Sequence, residues 1–254
     1  MTDGQVSGAS SARKMLNVLF CFTAEKPLWT VAELCKELDV STSTMYRHVA
    51  LLREVGLLDA ASNNAYRIST RILTLAAAAE QAGASLEGVA LPVMTRIRNL
   101  TGETVLISRR NKSFVYCVDR VESEKPVRLQ FDRGQPMSLH AGSMARVLLA
   151  NMPPAERTAY LNGVRAEISE KNAALLTPES LEEVKANGYT QSFEEIDEGI
   201  WGAAAAITVH GQTLAAIGVA APIYRLDARM REVTIAAVRE GAAEISRALA
   251  EEDG

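Results

Sequence analysis

Between Asp39 and Leu52 the chain reads DVSTSTMYRHVALL, and this stretch constrains the fold more than any other. Four hydroxyl residues, Ser41, Thr42, Ser43 and Thr44, open a segment in which Met45, Val49, Leu52 and Val55 recur at i, i+4, i+7 and i+10. That is the period of a helix anchored along one face, with Ser41 at its N-cap. Its early turns then carry Thr42, Ser43, Tyr46, Arg47 and His48 on the other side, as an exposed polar surface. Immediately before it, Thr30-Val31-Ala32-Glu33 is a capping box ahead of Leu34 and Leu38, and Asp39-Val40 leaves room for a tight turn only. Further upstream, Leu16, Leu19, Phe20 and Thr23 mark one side of an earlier helix. After Gly56, residues 57–68 divide into two short strands about Asn63-Asn64, a pair that tolerates positive φ in a tight turn.

Three helices, a short turn between the second and third, and a β-wing describe a winged helix-turn-helix. In that geometry the third helix enters the major groove N-terminus first, which explains why its first turns hold hydroxyls and a guanidinium while its apolar stripe packs inward. The candidate DNA contacts are Arg13, Thr30, Thr42, Ser43, Thr44, Tyr46, Arg47, Asn63, Asn64 and Arg67.

Charge limits how such contacts work. Residues 1–72 hold eight Lys or Arg against seven Asp or Glu, so the net of −4 for the whole chain divides into +1 there and −5 beyond. A uniformly basic coat is excluded, and affinity must come from a few placed cations supplemented by a second subunit. The longest apolar run, residues 214–224, contains Gly218 and Pro222 and is too short to cross a bilayer. Residues 15–24 imitate a secretion signal, but Asn17 interrupts the apolar core and Asp3 spoils its basic start. Cys21, Cys35 and Cys117 are odd in number and set among apolar neighbours, as in a reducing cytoplasm. His48, His140 and His210 lie far apart, so neither a metal site nor a cofactor is expected.

Residues 1–10 are small and polar, read as a disordered arm, and residues 11–69 as the DNA-binding domain. Residues 70–84 are an Ala-rich linker helix ending in a composition shift at Gly83-Ala84-Ser85. Residues 85–254 then change to an α+β pattern. Helices are expected over 86–100, 139–151, 178–187 and from Asp227 to about 251; β-rich segments over 104–108, 114–121, 127–131, 189–193, 204–210 and 214–220. Such an order suggests a sheet covered by helices on one face, with a pocket between.

The order ARKMLNVLFCF, TVAELCKELDVSTSTMYRHVALLREVGLL, YRIS resembles the DNA-binding domain of the IclR family of bacterial transcriptional regulators. It continues with Thr101-Gly102-Glu103-Thr104-Val105, Ser138-Leu139-His140-Ala141, Leu148-Leu149-Ala150, Asn187-Gly188-Tyr189 and the Glu194-Glu195 pair before Gly199, nearly the whole chain. Departures are Ala145-Arg146 where the family has Gly-Lys, His48 at a Leu-like position, and Ala205-Ala206 for Ala-Pro. The resemblance implies a GAF-like effector domain in the second half, a small-molecule effector that is an organic or aromatic acid, a homodimer or homotetramer, and a palindromic operator in double-stranded DNA. It implies a pocket lined by Leu129, Met137, Gly142, Ser143, Met144, Ser192, Ile200 and Gly202, with backbone N–H groups at Gly142-Ser143-Met144 holding the acid.

Two other readings compete. Ala141-Gly142-Ser143-Met144-Ala145 is a degraded nucleophile elbow beside His140, which an acyl hydrolase using Ser143 would need. Ala stands where that elbow needs Gly, and the downstream histidine is only His210 at an expected hairpin turn. A winged helix can also serve protein contacts alone, but the polar face of the third helix lacks the apolar patch such a role needs.

Overall fold

The structure, a computed structural model, describes residues 9–23, 25–81 and 86–252. The chain divides into two compact units, Met1–Gly83 and Ala84–Gly254. Residues 1–8 of the expected arm and residues 82–85 at the composition shift lie outside the described residues, and Ser10 already belongs to a helix.

The first unit runs α1 (Ser10–Phe20), β1 (Trp29–Thr30), α2 (Val31–Leu38), α3 (Thr42–Glu54), β2 (Leu58–Ala60), β3 (Ala65–Ile68) and α4 (Ile72–Gln81). The capping box that starts α2 is complete: the Glu33 amide donates to Thr30 Oγ1 (3.3 Å) and the Thr30 amide to Glu33 Oε2 (2.8 Å). Those bonds to Thr30, helped by Lys26, hold the Glu33 carboxyl at a pKa of about 2. Asp39, with φ at 49°, ends α2 in the left-handed region and turns the chain straight into α3.

Met45, Val49 and Leu52 of α3 pack with Val18, Trp29, Val31, Leu34 and Leu58 into one core. Two expectations fail at the edges of this helix. Val55 is 40% exposed, because α3 ends at Glu54 and the stripe ends with it. His48 is buried at 6% exposure, since it stands three residues after Met45 and four before Leu52, inside the apolar stripe. The first helix is also turned from the expected phase. Val18 is its buried residue, with Met15, Leu19 and Phe22 against the core, while Leu16 and Phe20 are exposed. The wing has a third strand that the sequence did not announce: Trp29 and Thr30 pair with Tyr66 and Ala65, giving the order β1-β3-β2. Asn63 and Asn64 adopt φ of 58° and 56° at its tip.

The second unit runs α5 (Leu86–Thr101), β4 (Thr104–Asn111), β5 (Phe114–Val121), β6 (Pro136–Ser138), α6 (Ser143–Ala150), α7 (Pro154–Gly163), α8 (Glu170–Ala173), α9 (Pro178–Asn187), β7 (Tyr189–Phe193), β8 (Ile200–Val209), β9 (Gln212–Pro222) and α10 (Ala228–Glu252). The strands form one antiparallel sheet in the order β6-β5-β4-β9-β8-β7. Helices cover both faces, not one. Leu86, Val93, Met94 and Ile97 of α5 and Val238, Ile245 and Leu249 of α10 pack on Val105, Ile107, Ile207 and Ile217. Val147 and Leu148 of α6 and Leu181 and Val184 of α9 pack on the other face, against Val115, Ala204 and Ala216. Continuous apolar runs such as Ala203-Ala204-Ala205-Ala206-Ile207 fit strands buried on both sides.

The helices α7 and α8 were not expected, and two further differences shape the cavity described below. Residues 127–131 form no strand; β6 takes the edge of β5 instead, and the Leu129 carbonyl accepts from Thr104 Oγ1 (3.2 Å). The helix expected from Leu139 begins at Ser143, because Gly142 adopts φ 87° and ψ 156°, which the glycine-only backbone region allows and a helix does not.

Candidate DNA-contact face and ligand cavity

On α3, Thr42, Ser43, Tyr46 and Arg47 are exposed and Thr44 is half-buried, on the side away from Met45, Val49 and Leu52. Ser41 is the N-cap residue, but its hydroxyl does not bond the backbone of the first turn. It donates to Thr44 Oγ1 (2.9 Å) and lies 3.4 Å from Ser43 Oγ, while Arg47 Nη2 donates to Thr44 Oγ1 (3.4 Å). The first-turn N–H groups of α3 therefore stay open at the end where the helix dipole is positive, beside three hydroxyls and a guanidinium. Asn63, Asn64 and Arg67 are exposed on the wing. Thr30 is half-buried with its hydroxyl engaged by both the amide and the carboxylate of Glu33, and Arg13 is half-buried on α1.

His48 lies beneath this face. Burial first, then the charges of Arg47 and Lys14, lower its pKa, and its Nε2 is buried without a hydrogen-bond partner among the described residues.

In the second unit a cavity of about 150 Å³ opens beside the start of α6. All eight residues expected to line a pocket do line it: Leu129, Met137, Gly142, Ser143, Met144, Ser192, Ile200 and Gly202. They come from five separate segments, and the loop at 129–131 lines the cavity because it is not spent on the sheet. Gly202 of β8 is needed for space. A Cβ there would stand 2.9 Å from Ser192 Oγ and 3.0 Å from Ser143 Oγ, so the two hydroxyls flank this glycine at the cavity wall. Ser192 Oγ donates to the Gly202 carbonyl (3.4 Å); Ser143 is 5% exposed and its hydroxyl has no partner among the described residues.

The sequence did not disclose the role of Glu195. Its carboxylate accepts from the Gly142 amide (3.0 Å), and Arg146 binds it through Nε (3.1 Å) and Nη2 (2.8 Å). The two side chains are 2% and 5% exposed. The Gly142 N–H expected to hold a ligand's carboxylate is therefore already taken by the protein's own. Arg146 also donates to the Gln191 carbonyl, and Asn172 Nδ2 to that of Glu195 (2.9 Å), fixing the loop 194–199 from two sides. Phe131 and Ile196, the latter 63% exposed, add to the lining where no motif pointed.

His140 does not serve Ser143. Its Nδ1 meets the Tyr160 hydroxyl at 2.8 Å, that hydroxyl also accepts from the Leu139 amide (3.1 Å), and burial lowers the imidazole's pKa. This is a structural clasp, not a nucleophile's base. Among the described residues no group of His, Cys, Asp and Glu could hold a metal ion, and no helix is long and apolar enough to cross a membrane.

Residues 81–247 match the family described as "Bacterial transcriptional regulator IclR C-terminal", and residues 11–59 match a helix-turn-helix domain family. "HTH-type transcriptional regulator BhcR" of Paracoccus denitrificans is 27% identical over 250 residues, covering 96% of this chain and 88% of the relative. "HTH-type transcriptional regulator KipR" of Bacillus subtilis is 28% identical over 195 residues, covering 75% and 77%. Among solved structures, a putative IclR transcriptional regulator from Silicibacter sp. TM1040 superposes with a TM-score of 0.83 at 20% identity, covering 95% of this chain and 96% of the other. An IclR homolog from Microbacterium hydrocarbonoxydans, complexed with 4-hydroxybenzoate, has a TM-score of 0.78 at 23% identity, covering 94% and 99%. A winged helix with a polar reading face, an α+β unit, and a family match over more than half the length together place the chain: it belongs to the IclR family of bacterial transcriptional regulators, DNA-binding proteins and not enzymes.

Proposed function

We propose that this regulator works in the cytoplasm as a homodimer or homotetramer, and that it reads a palindromic or near-palindromic duplex through α3 and the wing. Residues 11–69 carry the DNA contacts, 70–84 the link, and 85–254 effector binding and oligomerisation. Thr42, Ser43, Thr44, Tyr46 and Arg47 meet bases and phosphates, Asn63, Asn64 and Arg67 add wing contacts, and Arg13 and Thr30 contribute at the backbone. A compact organic molecule occupies the cavity at α6 and changes the affinity for that duplex. The observation that carries the effector reading is the lining of the cavity. Mostly apolar residues, among them Leu129, Met137, Met144 and Ile200, surround the serines Ser143 and Ser192, the composition of a small-molecule site. The relative complexed with 4-hydroxybenzoate adds support for a single-ring ligand.

The experiment selects duplexes from a randomised pool with the full-length protein, then titrates the selected complex with a panel of single-ring compounds. A compound that shifts wild-type binding and leaves Ser143→Trp binding unshifted supports the site. Equal response of both proteins places the ligand elsewhere.

A further inference from the structure

The charge and hydrogen-bonding pattern of the cavity point to a narrower ligand class, a reading that rests on the effector site just proposed. We infer that the cavity takes an uncharged, single-ring molecule carrying one hydroxyl, a phenol or a compact ring alcohol, with that hydroxyl between Ser143 and Ser192.

Size comes first. The cavity holds about 150 Å³, room for a benzene-sized ring. Met137 and Met144 line it, and thioethers adapt to aromatic faces and edges.

Charge comes second. Among the described residues no Lys, Arg or His lines the cavity, whereas Glu195 and Asp197 do. The nearby cation, Arg146, is held by Glu195 through two nitrogens and by the Gln191 carbonyl. The start of α6, which favours an anion, already faces the Glu195 carboxylate at the Gly142 amide. The chain thus supplies its own anion. A ligand carboxylate would enter beside a like charge with no unpaired cation to meet it.

Polarity comes third. Ser192 Oγ directs its proton to the Gly202 carbonyl, which leaves it an acceptor, while Ser143 Oγ has no hydrogen-bond partner among the described residues. Both hydroxyls stand about 3 Å from the place of the missing Gly202 Cβ. A ligand hydroxyl accepts from Ser143 and donates to Ser192, completing both; a carboxylate has no proton for Ser192. The expected ligand therefore shares the ring and hydroxyl of the relative's 4-hydroxybenzoate and lacks its carboxylate.

Isothermal titration calorimetry of the full-length protein with phenol, toluene and benzoate tests this. Phenol should bind at least tenfold tighter than either of the others. Ser143→Ala and Ser192→Ala should each bring phenol close to toluene. Glu195→Gln, which frees Arg146 and the Gly142 amide, should raise benzoate affinity at least tenfold relative to phenol. Benzoate binding wild type more tightly than phenol, and losing that binding in Ser143→Trp, overturns the charge assignment while keeping the site. Probes that bind wild type and Ser143→Trp alike overturn the site itself. Absence of phenol binding at millimolar concentration overturns the inference outright. Should a variant fail to fold by circular dichroism, the wild-type ranking of the three probes decides alone.

Discussion

Arg146 and Glu195, 49 residues apart in sequence, form a two-nitrogen ion pair in which neither side chain is more than 5% exposed. It joins α6 to the loop 194–199 at the wall of the cavity.

Breaking that pair from one side leaves a buried charge without compensation. Arg146→Met should destabilise the second unit by about 3–5 kcal/mol in urea unfolding. The double variant Arg146→Met with Glu195→Gln should be less destabilised than the sum of the single variants, because neither charge is then stranded. Additive losses would mean that the pair is not coupled as its geometry indicates.

His48 makes acid sensitivity a property of the reading helix. Its folded pKa lies below the ordinary value of 6.5, so the folded state favours the neutral ring and the unfolded chain binds more protons as pH falls. Its contribution to stability is complete above about pH 6.5 and is lost on acidification. His48→Leu removes both the proton site and the unpartnered Nε2, and should stabilise the first unit by about 1–3 kcal/mol with a flatter decline from about pH 7 to pH 5. His140, also lowered by burial, keeps a share of the sensitivity in the second unit. An unchanged pH profile in the first unit's transition would contradict this assignment.

Gly202 leaves room at the cavity wall that a side chain would fill. A valine there pushes into Ser143 Oγ, Ser192 Oγ and the Val219 carbonyl, 3.3 Å from the first added carbon. Gly202→Val should keep its affinity for the selected duplex and lose its response to any cavity ligand. Fluorescence anisotropy of the labelled duplex checks both halves; a retained response would show that the ligand does not use this wall.

The reading helix was legible because capping and periodicity are local: the Thr30 box, the left-handed turn at Asp39 and the Met45-Val49-Leu52 stripe each depend on neighbours within a few residues. His48 was misread because a polar residue type was given more weight than its place in the stripe. In the second unit, most strand and helix positions followed from β-rich runs and from caps such as Thr177 and Asp227, whereas β6, α7 and α8 did not. The loop 127–131 did not, since whether an apolar run pairs at a sheet edge or crosses a cavity depends on what else competes for the edge. The cavity residues came from family resemblance, and the Arg146–Glu195 pair could come from neither source of local information, because its two halves meet only when the sheet closes.

Affinity of Arg47→Ala and Leu52→Ala for a duplex selected by the wild-type protein, measured beside their thermal unfolding, tests most directly whether α3 reads DNA with one face and holds the core with the other. Arg47 is exposed and, among the described residues, bonded only to Thr44, so its loss should weaken specific binding by about 1–3 kcal/mol, roughly ten- to hundredfold, at an unchanged melting temperature. Leu52, 1% exposed, should cost about 2–5 kcal/mol of stability when truncated. Wild-type binding should also weaken with salt at a log–log slope of about −0.9 per phosphate contacted. A folded Arg47→Ala protein that binds the selected duplex as tightly as wild type, with the same salt slope, would contradict the assignment of α3 as the reading helix.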